Sequence, residues 1–148
     1  MKKKKDLAPL MARRAALYCR VSTEEQARHG YSLAEQKLDL EKYAAQKGFV
    51  VVGLYADEGC SARKAISRRH ALQNLLHDIE QGRVDVVVMK CLDRWMRSVK
   101  DFYKVQETLD AHGVALEFSQ ESDYNTSTTS GRLMLNLKLT IAQHESDT

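Results

Sequence analysis

Three stretches of the chain gather residues able to do chemistry. Tyr18, Arg20 and Ser22 alternate through Tyr18-Cys-Arg20-Val-Ser22-Thr23. Asp57-Glu58-Gly59-Cys60-Ser61 is followed by a basic cluster of Arg63, Lys64, Arg68 and Arg69. Lys90 leads into Asp93, Arg94 and Arg97. Arginines around a serine suit a phosphate ester. The guanidinium fork binds phosphate oxygens bidentately, stays charged at any relevant pH, and stabilises charge gained in the transition state. The usual nucleoside-phosphate cradles, GxxxxGK[ST] and GxGxxG, do not occur. His29, His70, His77, His112 and His144 are scattered, so a Ser–His triad has no support. No metal-ligand spacing occurs, and neither a metal nor a cofactor is expected.

The elements that must position these groups follow from hydrophobic patterning. Ala15–Val21 reads as a strand, Leu33–Lys47 as a helix capped by Ser32 with Glu35, and Phe49–Ala56 as a second, buried strand. Leu72, Leu75, Leu76 and Ile79 place a helix over Arg69–Glu80. Val84–Lys90 is a third strand, Val99–His112 a helix and Val114–Ser119 a fourth strand. Ser119–Ser130 reads as a mobile polar loop, and Gly131 opens a last helix. The alternation predicts an α/β fold with a mostly parallel sheet of four to five strands flanked by helices. Ligands in such sheets bind beyond the carboxyl ends of strands, where all three stretches lie. Arg20 inside a strand needs a partner or a ligand, unless that strand is an edge with one wet face. In the last helix, Leu133, Met134, Leu135, Leu137, Leu139, Ile141 and Ala142 cover well over half the circumference, more than one core contact needs. A second subunit is the expected partner of the surplus face.

Composition bounds the function. The 148 residues are 43% hydrophobic and 29% charged, as in a globular domain. The net charge of +3 comes from the first 14 residues, with Lys2–Lys5, Arg13 and Arg14 against Asp6; the remainder is slightly acidic. Bulk charge therefore does not argue for nucleic acid. Residues 1–14 are expected to be a basic flexible tail and 15–148 one domain. Three cysteines without a CxxC pair give neither a disulfide framework nor a zinc site, and Cys19 reads as core. No apolar run approaches a membrane span, and no signal peptide is evident, so a cytoplasmic protein is expected.

Five segments then coincide with one family. Tyr18-x-Arg20-Val-Ser22-Thr23-x-x-Gln26, Asp57-x-Gly59-x-Ser61, Arg69-x-x-Leu72, Asp93-Arg94-x-x-Arg97 and Ala142-Gln143-x-Glu145 resemble, in order and spacing, the catalytic domain of serine recombinases, the resolvase/invertase family. Ser32-Leu33-x-x-Gln36 is more similar to large serine recombinases and transposon resolvases. The resemblance covers about Ala15 to Glu145.

It implies site-specific recombination of double-stranded DNA. Ser22 would attack a phosphodiester to give a 5′-phosphoserine link and a free 3′-hydroxyl, followed by strand exchange and religation without ATP or metal. Arg20, Arg69, Arg94 and Arg97 would hold the phosphate, and Asp93 would orient them. Tyr18, Gln26, Gln36, Asp57 and Glu145 would support, with Arg63, Lys64, Arg68 and Lys90 as further phosphate contacts. The last helix would pair subunits into a homodimer or homotetramer. His70 stands where proline often follows the arginine, leaving Arg68 and Arg69 as alternatives, and Ser146 replaces an arginine after Glu145. A separate DNA-recognition region is expected to lie outside these residues.

Plainer readings stand beside these. Asp93 and Arg97 fit an exposed i,i+4 ion pair, Ser22 an N-cap with Glu25, and Trp95 a packing residue. A catalytically silent α/β module that oligomerises or binds phosphates is the alternative function, and a metal-dependent nuclease a third.

Overall fold

The fold is an all-parallel four-stranded α/β sheet, seen in a computed structural model that describes residues 12–22, 32–59, 68–96 and 98–147. The strands are β1 (Arg14–Val21), β2 (Val50–Glu58), β3 (Val86–Met89) and β4 (Ala115–Phe118), in the order β2-β1-β3-β4. The helices are α1 (Leu33–Lys47), α2 (His70–Glu80), α3 (Leu92–Trp95), α4 (Val99–Ala111) and α5 (Thr129–Asp147). Ser32 Oγ accepts the Glu35 N–H to start α1, and Gly48 ends it at φ 75°, where a side chain is disfavoured.

The two faces of the sheet are covered unequally. Ala15, Leu17 and Cys19 of β1 join Val86, Val88 and Ala115 against Leu40 and Ala44 of α1. Ala16 and Tyr18 point the other way, into a larger core with α2, α3, α4 and Leu135 and Leu139 of α5. β1 lies between β2 and β3, so neither of its edges is free, and the helices on each side bury both its faces. The edge-strand explanation for Arg20 is thereby excluded.

Three expectations need correction. First, β2 is an exposed edge strand, not a buried one: Val50, Val51, Val52 and Leu54 are each 44–51% accessible. Its apolar run reads as two-sided burial, but only β1 flanks it, and a bulge opposite Ala15–Ala16 inserts Val52. Second, Arg14 is the first residue of β1 and outside any tail; its guanidinium makes paired 3.0 Å bonds to Asp85. Third, the segment after β4 is tied down. Phe118 N–H donates to Asn125 Oδ1 at 2.7 Å and Leu116 N–H to Thr126 Oγ1 at 2.8 Å. These side chains satisfy the outer edge of β4 as a fifth strand would. Beneath them, buried Glu117 accepts from Tyr43 and Ser127, both at 2.6 Å, and faces Arg13 and Lys47. Gly131 fits because a Cβ there would lie 1.9 Å from the Asn125 carbonyl oxygen.

Candidate active site

Tyr18 is the hub of the carboxyl edge. It is fully buried, and its hydroxyl donates to Asp57 Oδ2 at 2.7 Å. The same oxygen accepts from Arg69 Nη2 at 2.6 Å and Nε at 3.1 Å. Parallel register explains the reach: Arg20 stands beside Asp57 across β1 and β2, so Tyr18 meets Asp57 diagonally on one face. Burial is the largest influence on the Tyr18 phenol and pushes its pKa up, opposed by the Arg69 charge. Tyr18 is thus a neutral phenol at any physiological pH, bridging a carboxylate and a guanidinium.

Asp57 does a second job. Arg69, at the N-cap of α2, makes no side-chain cap. Asp57 supplies it from β2, accepting the Ala71 and Leu72 N–H groups at 2.8 and 3.1 Å. A carboxylate at a helix N-terminus is favourable for both hydrogen bonding and dipole. The arrangement fixes where Arg69 leaves the helix.

Arg20 faces α3. Its Nη2 donates to the Asp93 carbonyl at 2.8 Å and its Nε to the Arg94 carbonyl at 3.4 Å. Gln36 holds the Arg20 backbone from the opposite side of the sheet, exchanging 3.4 and 3.3 Å bonds with its N–H and carbonyl. Trp95 packs edge-on to Tyr18, ring centroids 5.4 Å apart. It is a packing residue, as its sequence context suggested. The i,i+4 reading of Asp93 and Arg97 places a helical turn here; α3 supplies one, but it ends at Trp95 and Met96 is already extended. Glu121, which binds the Leu92 N–H at 2.8 Å, carried no signal in the sequence.

The sequence candidates separate clearly. Tyr18, Arg20, Gln36, Asp57, Arg69 and Arg94 are buried together around this edge, and Ser22 follows β1 directly, half-buried. Of the two alternatives beside His70, Arg69 is in the cluster and Arg68 is exposed. Asp93 is exposed on α3, and Lys90 is half-buried just beyond β3. Glu145 is exposed near the end of α5. Gln26, Arg63, Lys64 and Arg97 lie outside the described residues. An open cleft of about 520 Å³ separates Asp93, Met96 and Ser98 from Lys138, Leu139 and Ala142 of α5. Cys19 is raised to about 11 by burial, which keeps it a thiol. Among the described residues no cluster of histidine, cysteine and carboxylate side chains is arranged to hold a metal, and no helix is long and apolar enough to cross a membrane.

Comparison with known proteins gives consistent matches. The family Resolvase, N terminal domain matches residues 15–148. The N-terminal catalytic domain of TP901-1 integrase superposes with a TM-score of 0.78 at 37% identity, covering 90% of this chain and 97% of that one. A resolvase family site-specific recombinase from Streptococcus pneumoniae gives a TM-score of 0.72 at 29% identity, covering 90% and 88%. A "Putative DNA recombinase" of Bacillus subtilis (strain 168) is 32% identical over 130 residues, 88% of this chain and 25% of that protein. The chain therefore spans about a quarter of the length of that relative.

Proposed function

The chain belongs to the resolvase N-terminal domain family of serine recombinases, and on that premise we propose that it cleaves and rejoins DNA strands through Ser22. The observation that supports this reading is the Arg20, Arg69 and Arg94 cluster beneath the carboxyl end of the strand from which Ser22 emerges. Ser22 Oγ attacks phosphorus, the Oγ–P bond forms, and the P–O3′ bond breaks. The serine proton passes to a base, and an acid donates a proton to the 3′ oxygen, which leaves as a hydroxyl. The ester keeps the phosphodiester's free energy, so reversal by another 3′-hydroxyl reseals the strand.

In this reading Arg94 and Arg97 neutralise the phosphate, Asp93 orients them, and Arg69 completes the anion site from α2. Arg20 holds α3 through two carbonyls, so it positions Arg94 as well as adding charge. Arg20, Arg69 and Arg94 are only 1–6% accessible. Duplex binding must therefore open this edge before a phosphate reaches them. The partner is double-stranded DNA, held through phosphates and weakened by salt. A second subunit covers Leu133, Met134, Leu137 and Ile141 of α5, which are 45–68% accessible.

The test uses a duplex carrying a 3′-bridging phosphorothiolate, whose thiol leaving group cannot religate. At low salt the 148-residue chain accumulates a covalent adduct. Ser22→Ala folds normally and forms none, whereas an unchanged adduct yield removes Ser22. Arg94→Ala lowers the rate by at least about 10²-fold, the effect of one missing transition-state donor. Cutting that EDTA abolishes, without any adduct, indicates a metal-dependent nuclease instead.

A further inference from the structure

The helix that presents Asp93 and Arg94 cannot place itself. Helix α3 has four residues and forms only one turn, the costliest to nucleate; the Arg94 N–H reaches the Cys91 carbonyl at 3.0 Å, but the Leu92 N–H, at its first position, precedes any intrahelical acceptor. Its N-cap, Cys91, is already extended at φ −157° and ψ 169° but makes no side-chain cap. Two outside charges do the work. At the carbonyl end, Arg20 binds the Asp93 and Arg94 oxygens. At the amide end, Glu121 Oε1 accepts the Leu92 N–H at 2.8 Å. A carboxylate at the amide end and a cation at the carbonyl end both match the helix dipole.

Glu121 is itself held firmly. The Ser119 and Gln120 N–H groups donate to the Met89 and Lys90 carbonyls at 2.8 and 2.9 Å, continuing the β3–β4 pairing past the end of the sheet. The Tyr124 N–H donates to the Glu121 carbonyl at 3.0 Å, starting the short turn that precedes α5. The same pattern serves α2, whose N-cap Arg69 is uncapped and which Asp57 caps from β2. The starts of α2 and α3 are thus both capped by a carboxylate from another element.

We propose that Glu121 is a positioning residue for Asp93 and Arg94, acting by capping α3 in place of Cys91. The proposal rests on the reading that Arg94 meets the phosphate. It is tested with the phosphorothiolate duplex and with amide hydrogen exchange over Leu92–Trp95. E121A forms adduct about five- to tenfold more slowly, the effect of one lost cap, and exchanges faster over Leu92–Trp95. E121Q keeps an acceptor oxygen and stays within about threefold of the parent. Equal rates for E121A and the parent overturn the proposal. So does a loss in E121Q as deep as in E121A. If the parent itself forms no adduct, the Ser22 reading fails, and the exchange measurements alone decide whether Glu121 fixes α3.

Discussion

Replacing Asp57 by alanine removes three hydrogen bonds at once. The α2 cap at Ala71 and Leu72 is worth about 1 kcal/mol. The buried Tyr18 hydroxyl loses its acceptor, and an unsatisfied buried polar group costs about 1–3 kcal/mol. Arg69, only 1% accessible, reaches that carboxylate only through the Tyr18 hydroxyl, so its loss is part of the same cost. Together D57A is expected to lose about 2–4 kcal/mol. At about 2–4 °C per kcal/mol for a chain of this size, Tm falls by roughly 10 °C. D57N keeps one acceptor oxygen and loses about 1–2 kcal/mol. Urea unfolding reads this through Trp95, the chain's single tryptophan, whose ring lies 5.4 Å from that of Tyr18. A D57A loss below about 1 kcal/mol would refute the bridged carboxylate–phenol–guanidinium arrangement.

Alkali should unfold the protein through the same hub. Burial raises the Tyr18 pKa above its ordinary value of 10, so above pH 10 the unfolded state sheds a proton that the native state keeps. Tyr18 then contributes a fall of about 1.4 kcal/mol per pH unit above pH 10, added to the falls from Cys19, Cys91, Tyr43 and Tyr55, which burial also raises. In urea titrations Y18F is expected to show a slope shallower by that amount, and an unchanged slope in Y18F contradicts the assignment. G131A drives a Cβ to 1.9 Å from the Asn125 carbonyl oxygen and is expected to lose about 2–3 kcal/mol, whereas parental Tm in G131A means that α5 enters differently. For the pairing face, sedimentation of the parent at tens of micromolar is expected to show association that L137E/I141E abolishes, and identical profiles count against α5 as the interface.

The parts of the fold legible in the sequence were those with a local cause. Ser32 and Gly48 bound α1 because capping and left-handed backbone are properties of single residues. Leu72, Leu75 and Ile79 all turn inward because helical spacing decides their face. Tyr18 and Arg20 share a face because strand side chains alternate. What escaped depended on partners distant in sequence. The Val50–Val52 run does not reveal which strand will flank it, so an edge looked like an interior. The Asn125–Thr126 segment looked mobile because its polar side chains are what substitute for a strand along β4. In the site, residue types and order were readable, but division of labour was not. Arg20 spends two donors on α3 carbonyls, and Asp57 caps α2. Consequently R20A, expected to lose adduct formation, also loosens α3 and is a poorer test of charge than R94A.

Peptide mapping of the trapped protein–DNA adduct tests the central claim most directly. After nuclease and trypsin digestion, cleavage at Arg20 and Arg28 releases Val-Ser22-Thr-Glu-Glu-Gln-Ala-Arg. Fragmentation is predicted to place a 5′-nucleotide phosphoryl mass on Ser22 of that peptide. The same mass on Thr23 or on any other peptide, or strand cutting with no modified peptide at all, would contradict the account.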